Sequence, residues 1–131
     1  MSKLYVPQDY DVTLFLDGIE AFNDHINHHK YANNYTYHKA ILLMNLAEHL
    51  DNDFLLLKED ENIASPLGLL HYERYNTLEE LAETLNNNTE QIQCVVSKIN
   101  FSNSIQLGKA QQPGLVDYAD GEDTIKFLLE L

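Results

Sequence analysis

Four histidines, His25, His28, His29 and His38, fall within one stretch of fourteen residues. Imidazole nitrogen is a good zinc donor, and a metal site needs three or four ligands that converge. On a helix, His25 would share a face with His28 or His29. The stretch has no HExxH pattern and no cysteine nearby, and Asp24 is the carboxylate at hand. The histidines therefore read as a polar helix end and loop whose rings bond backbone or water, and no metal ligand is assigned. The lone cysteine, Cys94, lies in the run IQCVVS. A nucleophilic thiol needs a cation, a histidine or a helix N-terminus to lower its pKa. A β-branched run offers none of these, so Cys94 is expected to be a packed core thiol. The acidic run Glu59-Asp60-Glu61 could hold a cation or accept hydrogen bonds from a ribose, although most such runs are simply solvated. The chain has no GxGxxG, GxxxxGK[ST] or GxSxG, so it carries neither a nucleotide loop nor a serine elbow of its own.

The elements that must position these groups have to fit in 131 residues, the size of one domain. The formal charge is −13, from 8 Lys and Arg against 21 Asp and Glu. That balance disfavours nucleic acid and anionic membrane surfaces, which are held by clustered cations. It also leaves little to hold cofactor phosphates. No apolar run approaches the ~18 residues of a membrane-spanning helix. The first ten residues, MSKLYVPQDY, have no apolar signal core. With one cysteine there is no internal disulfide, and a reducing cytoplasm is the expected location.

Lys3 to Val6 reads as a strand stopped by Pro7. Val12, Phe15, Leu16, Ile19 and Phe22 then fall on one helical face, with Asp11 as its N-cap. His25 to Tyr37, polar and aromatic around Asn33-Asn34, reads as a loop or a broken turn. A second helix is expected from Tyr37 to Leu50, with Ala40, Leu43, Met44, Ala47 and Leu50 as its apolar face, ended by Asp51-Asn52-Asp53. Strands are expected at Phe54–Leu57 and Leu67–Tyr72, around a polar loop at 58–62. Thr77 and Glu80 have capping-box spacing for a third helix, with Leu78, Leu81, Ala82 and Leu85 inward and Asn86-Asn87-Asn88 at its end. Ile92–Ser97 and Ile105–Leu107 read as strands. A terminal helix starts at Asp123 or Gly121, with Ile125, Phe127, Leu128 and Leu131 apolar. Strands separated by helices predict an α/β layered sheet with flanking helices and some parallel pairing, in a single domain over residues 1–131.

Three stretches carry a family resemblance, in order along the chain. They are SKLYVPQDYD at 2–11, the long segment from His29 to Tyr75, and IQCVVSK at 92–98 together with the closing LGKAQQPGLVDYADGEDTIKFLLEL. The closing segment is the most specific. Together they resemble the C-terminal part of fatty acyl-CoA reductases of the bioluminescence type, which are aldehyde dehydrogenase-like in fold. The resemblance implies that a cysteine thiolate takes the acyl group from coenzyme A as a thioester, and that NADPH delivers the hydride that releases a fatty aldehyde. The family's cysteine sits a few residues before the strand matching Lys3 to Val6, and its dinucleotide-binding half lies further upstream. No catalytic residue is therefore assigned here, the chain alone is expected to be inactive and not to bind NADPH by itself, and the partner implied is the upstream half of the same enzyme, in a homo-oligomer.

Two carry-overs follow from the resemblance. Glu61, shortly before Ser65-Pro66, matches the glutamate that holds the nicotinamide ribose. The LGKAQQPG segment, with Gly108, Gln111 and Pro113, resembles the substrate-side loop beside the nucleophile, although Leu107 stands where that loop usually has Phe. Gln111, Pro113, Asp117, Tyr118 and Asp120 are expected to fix the loop and not to perform chemistry. The competing reading is a non-catalytic domain of the same fold that binds itself or a partner through exposed apolar helix faces. A weaker one is a histidine-rich metal-binding domain.

Overall fold

Alternation of apolar and polar residues in Lys3–Pro7 makes it a strand, β1, with Leu4 and Val6 turned to one face and Lys3 and Tyr5 to the other. In the computed structural model, which describes residues 2–101, 104–114, 117–118 and 123–130, the chain divides into two compact units, Met1–Leu78 and Glu79–Leu131. The first holds helices α1 (Thr13–Gly18) and α2 (His29–Met44), a 3-10 helix (Glu20–Asn27), and strands β1, β2 (Leu50–Asp51), β3 (Leu56–Glu59) and β4 (Leu69–Tyr75). The sheet order is β1-β4-β3-β2. β4 is parallel to both β1 and β3, and β2 is antiparallel to β3. The architecture is mixed α/β, a small mixed sheet with flanking helices.

Leu56 and Leu57 are adjacent, wholly buried, and point to opposite faces of the sheet. Leu57 packs with Val6, Val12 and Leu16, joined by Leu4, Phe15, Ile19, Leu70 and Tyr72. Leu56 packs with Leu69, Tyr35 and Leu42, so α2 covers the other face. The N-cap of α1 is Val12, one residue after the expected Asp11, whose carboxylate still accepts from the Thr13 amide at 3.0 Å. Phe22 lies beyond α1 and is exposed.

The largest departure from the sequence reading lies at 25–37, which is not a loop. The 3-10 helix runs to Asn27 and α2 begins at His29. The inward stripe of α2 is Tyr31, Tyr35, His38 and Leu42, at helical spacing but made of tyrosine and histidine, which do not register as an apolar period. Asn34 does not break the helix, because its side-chain amide donates to the Lys30 carbonyl one turn back (2.8 Å). The helix also ends earlier than expected. Leu46 takes a left-handed conformation (φ 51°), and the Ala47 and Leu46 amides donate back to the Leu42 and Leu43 carbonyls at 3.0 and 3.2 Å, a Schellman stop. Leu43 and Met44, expected inside, are exposed. Asp51-Asn52-Asp53 does not end a helix but forms the β2–β3 turn, with Asp53 at φ 70°. There the Asp51 carboxylate accepts from the Asp53 amide and the Asn52 side-chain oxygen from the Leu55 amide.

Gly68 has φ +83°, and a Cβ there would stand 2.8 Å from Tyr35 Cα. Glycine therefore sets how closely the start of β4 approaches α2. Beside it, Tyr35 donates to Asp51 (2.6 Å), and Lys39 bridges both, at 3.2 Å to the Tyr35 hydroxyl and 2.6 Å to Asp51. Burial, then the Asp51 hydrogen bond, push the Tyr35 hydroxyl up to about 12, so it is a fixed donor and not an acid.

The second unit holds most of α3 (Leu78–Asn87), a 3-10 turn (Thr89–Gln91), parallel strands β5 (Val95–Val96) and β6 (Ser104–Ile105), and α4 (Thr124–Leu129). Leu81 is buried on α3, as expected. The expected strand 92–97 is reduced to two residues, and Cys94 precedes it, exposed. A two-residue strand in a two-stranded sheet has too little cover to bury that thiol. Asp123 caps α4, accepting from the Ile125 and Lys126 amides. Its apolar residues Ile125, Phe127 and Leu128 are exposed, while Gly121 and Leu131 lie outside the described residues. Among the described residues no helix is long and apolar enough to cross a membrane.

Candidate functional site

Strands β1, β3 and β4 all run in one direction, and their carboxyl ends open on a cleft of about 410 Å³ lined by Gln8, Glu59, Asp60, Glu61, Glu73 and Arg74. Ligands of open α/β sheets bind outside the carboxyl ends of such strands. Four carboxylates face one guanidinium here. Arg74 Nη1 is committed to the Gln8 and Tyr10 carbonyls, both at 2.9 Å, so it ties the chain leaving β1 to the end of β4.

The acidic run does not behave as one solvated block. Glu59 accepts from the Tyr72 hydroxyl (3.3 Å). Burial, followed by the Glu59 charge, raises the pKa of that hydroxyl. Asp60 pairs with Lys58 and accepts from the Asn62 amide (2.9 Å) and side chain (2.6 Å). The Lys58 ammonium and the Asn62 amide hold the Asp60 carboxyl well below the usual carboxylate range. Glu73 pairs with Lys3.

Glu61 differs from all three. Its carboxylate has no hydrogen-bond or ion-pair partner among the described residues, while its backbone carbonyl accepts from Lys3 Nζ at 2.7 Å. The next residue is also held, since the buried His71 donates from Nδ1 to the Asn62 carbonyl at 3.0 Å. Glu61 thus presents two free acceptor oxygens on a fixed loop, an arrangement suited to adjacent hydroxyl groups.

Lys3, His71, Arg74 and Glu73 were not singled out from the sequence. A signal was present, because Lys3 and Tyr5 alternate with Leu4 and Val6, and His71 and Glu73 with Leu70 and Tyr72. The register sets Lys3 opposite His71 and His71 opposite Lys58, so Lys3, Lys58, His71 and Glu73 share the face that also carries Leu56 and Leu69, while Arg74 lies on the other face opposite Val6.

Gly108, Gln111 and Pro113 belong to the second unit. Gly108 has φ +80° in an exposed turn, and Lys109 donates to the Gln112 side chain (3.1 Å). Asp117 fixes the segment as expected, its carboxylate accepting from the Gly114 amide at 2.7 Å. Gln111 and Pro113 are exposed, and Asp120 lies outside the described residues.

The histidines are spread out. His25 donates to the Phe22 carbonyl (2.9 Å) and meets Phe22 and Tyr31 edge-on, and His38 meets Tyr37 edge-on. Among the described residues no three His, Cys, Asp or Glu side chains are placed to hold a metal. Comparison with family models, curated proteins and solved structures gave no match to this chain.

Proposed function

We propose that this chain is the C-terminal part of the catalytic domain of an NADPH-dependent fatty acyl-CoA reductase with an aldehyde dehydrogenase-like fold, located in the cytoplasm and assembled as a homo-oligomer. The observation that carries the reading is Glu61, a carboxylate free of protein partners, on a clamped loop, in a cleft at the carboxyl ends of parallel strands. Such a group can accept both hydroxyls of a nicotinamide ribose. The cleft's acidic lining does not suit phosphate, so the phosphate end of the cofactor belongs to the upstream half. When bound, the cofactor supplies hydride, and this chain's part is to orient the ribose. The acyl thioester belongs to a cysteine upstream of Ser2, and Cys94 is not its substitute.

The test is the coding sequence before the Met1 codon. An uninterrupted frame, with a cysteine a few codons before Ser2 and a dinucleotide-binding half before that, is expected. An in-frame stop with no such coding sequence nearby would sink the assignment.

A second reading, a non-catalytic self-association domain, is favoured by the exposed Leu43, Met44 and Leu46 at the end of α2. Sedimentation of the chain, taken together with the upstream frame, separates the two. A discrete oligomer, dissociated by Leu46→Glu, in a frame with no upstream cysteine would favour the second.

A further inference from the structure

We infer that Lys3 is a positioning residue for the Glu61 carboxylate. This inference rests on the reading of Glu61 as a ribose ligand. The Lys3 side chain is 3% exposed, unusual for lysine, whose ammonium is strongly hydrated. Burying it is costly unless the charge is paired and its donors are used. Both conditions are met by groups of this cleft. The ammonium pairs with Glu73 and donates to the Glu61 carbonyl at 2.7 Å, and it lies 5.1 Å from the centre of the Tyr5 ring.

These contacts join residues 58 and 70 positions apart in sequence. They therefore fix the loop after β3 to β1 and β4 instead of merely decorating one strand. Without the ammonium, the loop keeps the Asp60–Asn62 turn and the His71 contact, but the Glu61 carbonyl loses its donor. The carboxylate on that residue would then sample more positions over the cleft. Removing Lys3 should weaken ligand binding more than it disturbs the fold.

The experiment is a titration of the whole chain with nicotinamide riboside, which carries the ribose and a cationic ring but no phosphate. Binding is followed by the backbone amide shifts of Glu61 and Asn62. The unaltered chain should show saturable shifts, abolished by Glu61→Gln. Lys3→Met should bind about fivefold more weakly, the worth of one lost hydrogen bond, and Lys3→Arg should restore part of the loss. Equal affinity in Lys3→Met would overturn the role of Lys3 and leave Glu61 as the ligand. No shifts in the unaltered chain would remove the ribose site, and the role of Lys3 with it. Should Lys3→Met fail to fold, Lys3→Gln keeps a donor without the charge; affinity near that of the unaltered chain is expected from it, and a fivefold loss there would overturn a role through the donated hydrogen bond.

Discussion

The two faces of the four-stranded sheet are built differently, although one residue step along β3 separates them. The Leu57 face is apolar over most of its length, with Leu4 and Val6 from β1, Leu70 from β4, and Val12 and Leu16 from the α1 region, and it carries Glu59 and Arg74 only at its cleft end. The Leu56 face is apolar only where Leu56 and Leu69 meet Tyr35 and Leu42. Beyond that it turns ionic, with Lys3, Lys58, His71 and Glu73 in register. Hydrophobic burial drives folding but offers nothing directional to a ligand. Buried ion pairs add little net stability but fix geometry. The first face holds the sheet together, and the second divides its length between holding α2 and shaping the cleft.

The sharpest test of that contrast is a pair of truncations. Leu57→Ala and Leu56→Ala should each cost about 3 kcal/mol in urea unfolding, the usual cost of emptying a buried leucine site. A loss below about 1 kcal/mol for either would show that its face is not a packed core. Gly68→Ala should cost about 2 to 3 kcal/mol, since it combines a left-handed backbone with a Cβ pressed on the α2 main chain. Unaltered stability would mean that α2 can move off the sheet freely.

Next is Tyr35→Phe, expected to cost about 1 kcal/mol through the lost hydroxyl bond to Asp51. It also has a pH signature. The Tyr35 pKa is raised from 10.0 to about 12 in the folded chain, so the unfolded chain loses this proton first. The Tyr35 contribution is fully present below pH 10 and falls as pH rises from 10 towards 12. Thermal unfolding of Tyr35→Phe should therefore show a shallower alkaline decline than the unaltered chain, and parallel curves would count against a buried hydroxyl. Smallest is Leu46→Gly, expected to stabilise by about 0.5 kcal/mol by relieving the left-handed leucine at the end of α2. A clear loss would mean that the exposed Leu46 is making contacts in solution.

Much of the fold was legible because it obeys simple periods. Leu4 and Val6 alternate, Val12, Leu16 and Ile19 recur at helical spacing, and Asp11 and Asp123 sit where helix starts need an acceptor. What escaped was carried by side chains that local rules score as polar. Tyr31 and Tyr35 made a helix face out of an apparent loop, and Asn34 stabilised the helix it seemed to interrupt. At the site, Glu61 was visible as one of three acidic neighbours. Which of the three was free depended on Tyr72, Lys58 and Lys3, two of them distant in sequence.

Composition alone fixed the −13 charge and the scarcity of cations for phosphate, and local spacing fixed β1, α1, α3 and the capped start of α4. Only the tertiary structure decided that Cys94 is exposed, that α2 begins at His29, and that Lys3 reaches the loop after β3. The reason is physical. Periodicity and capping act within a few residues, whereas burial and pairing depend on which strands become neighbours, and the parallel order β1-β4-β3 joins residues that the chain itself keeps far apart.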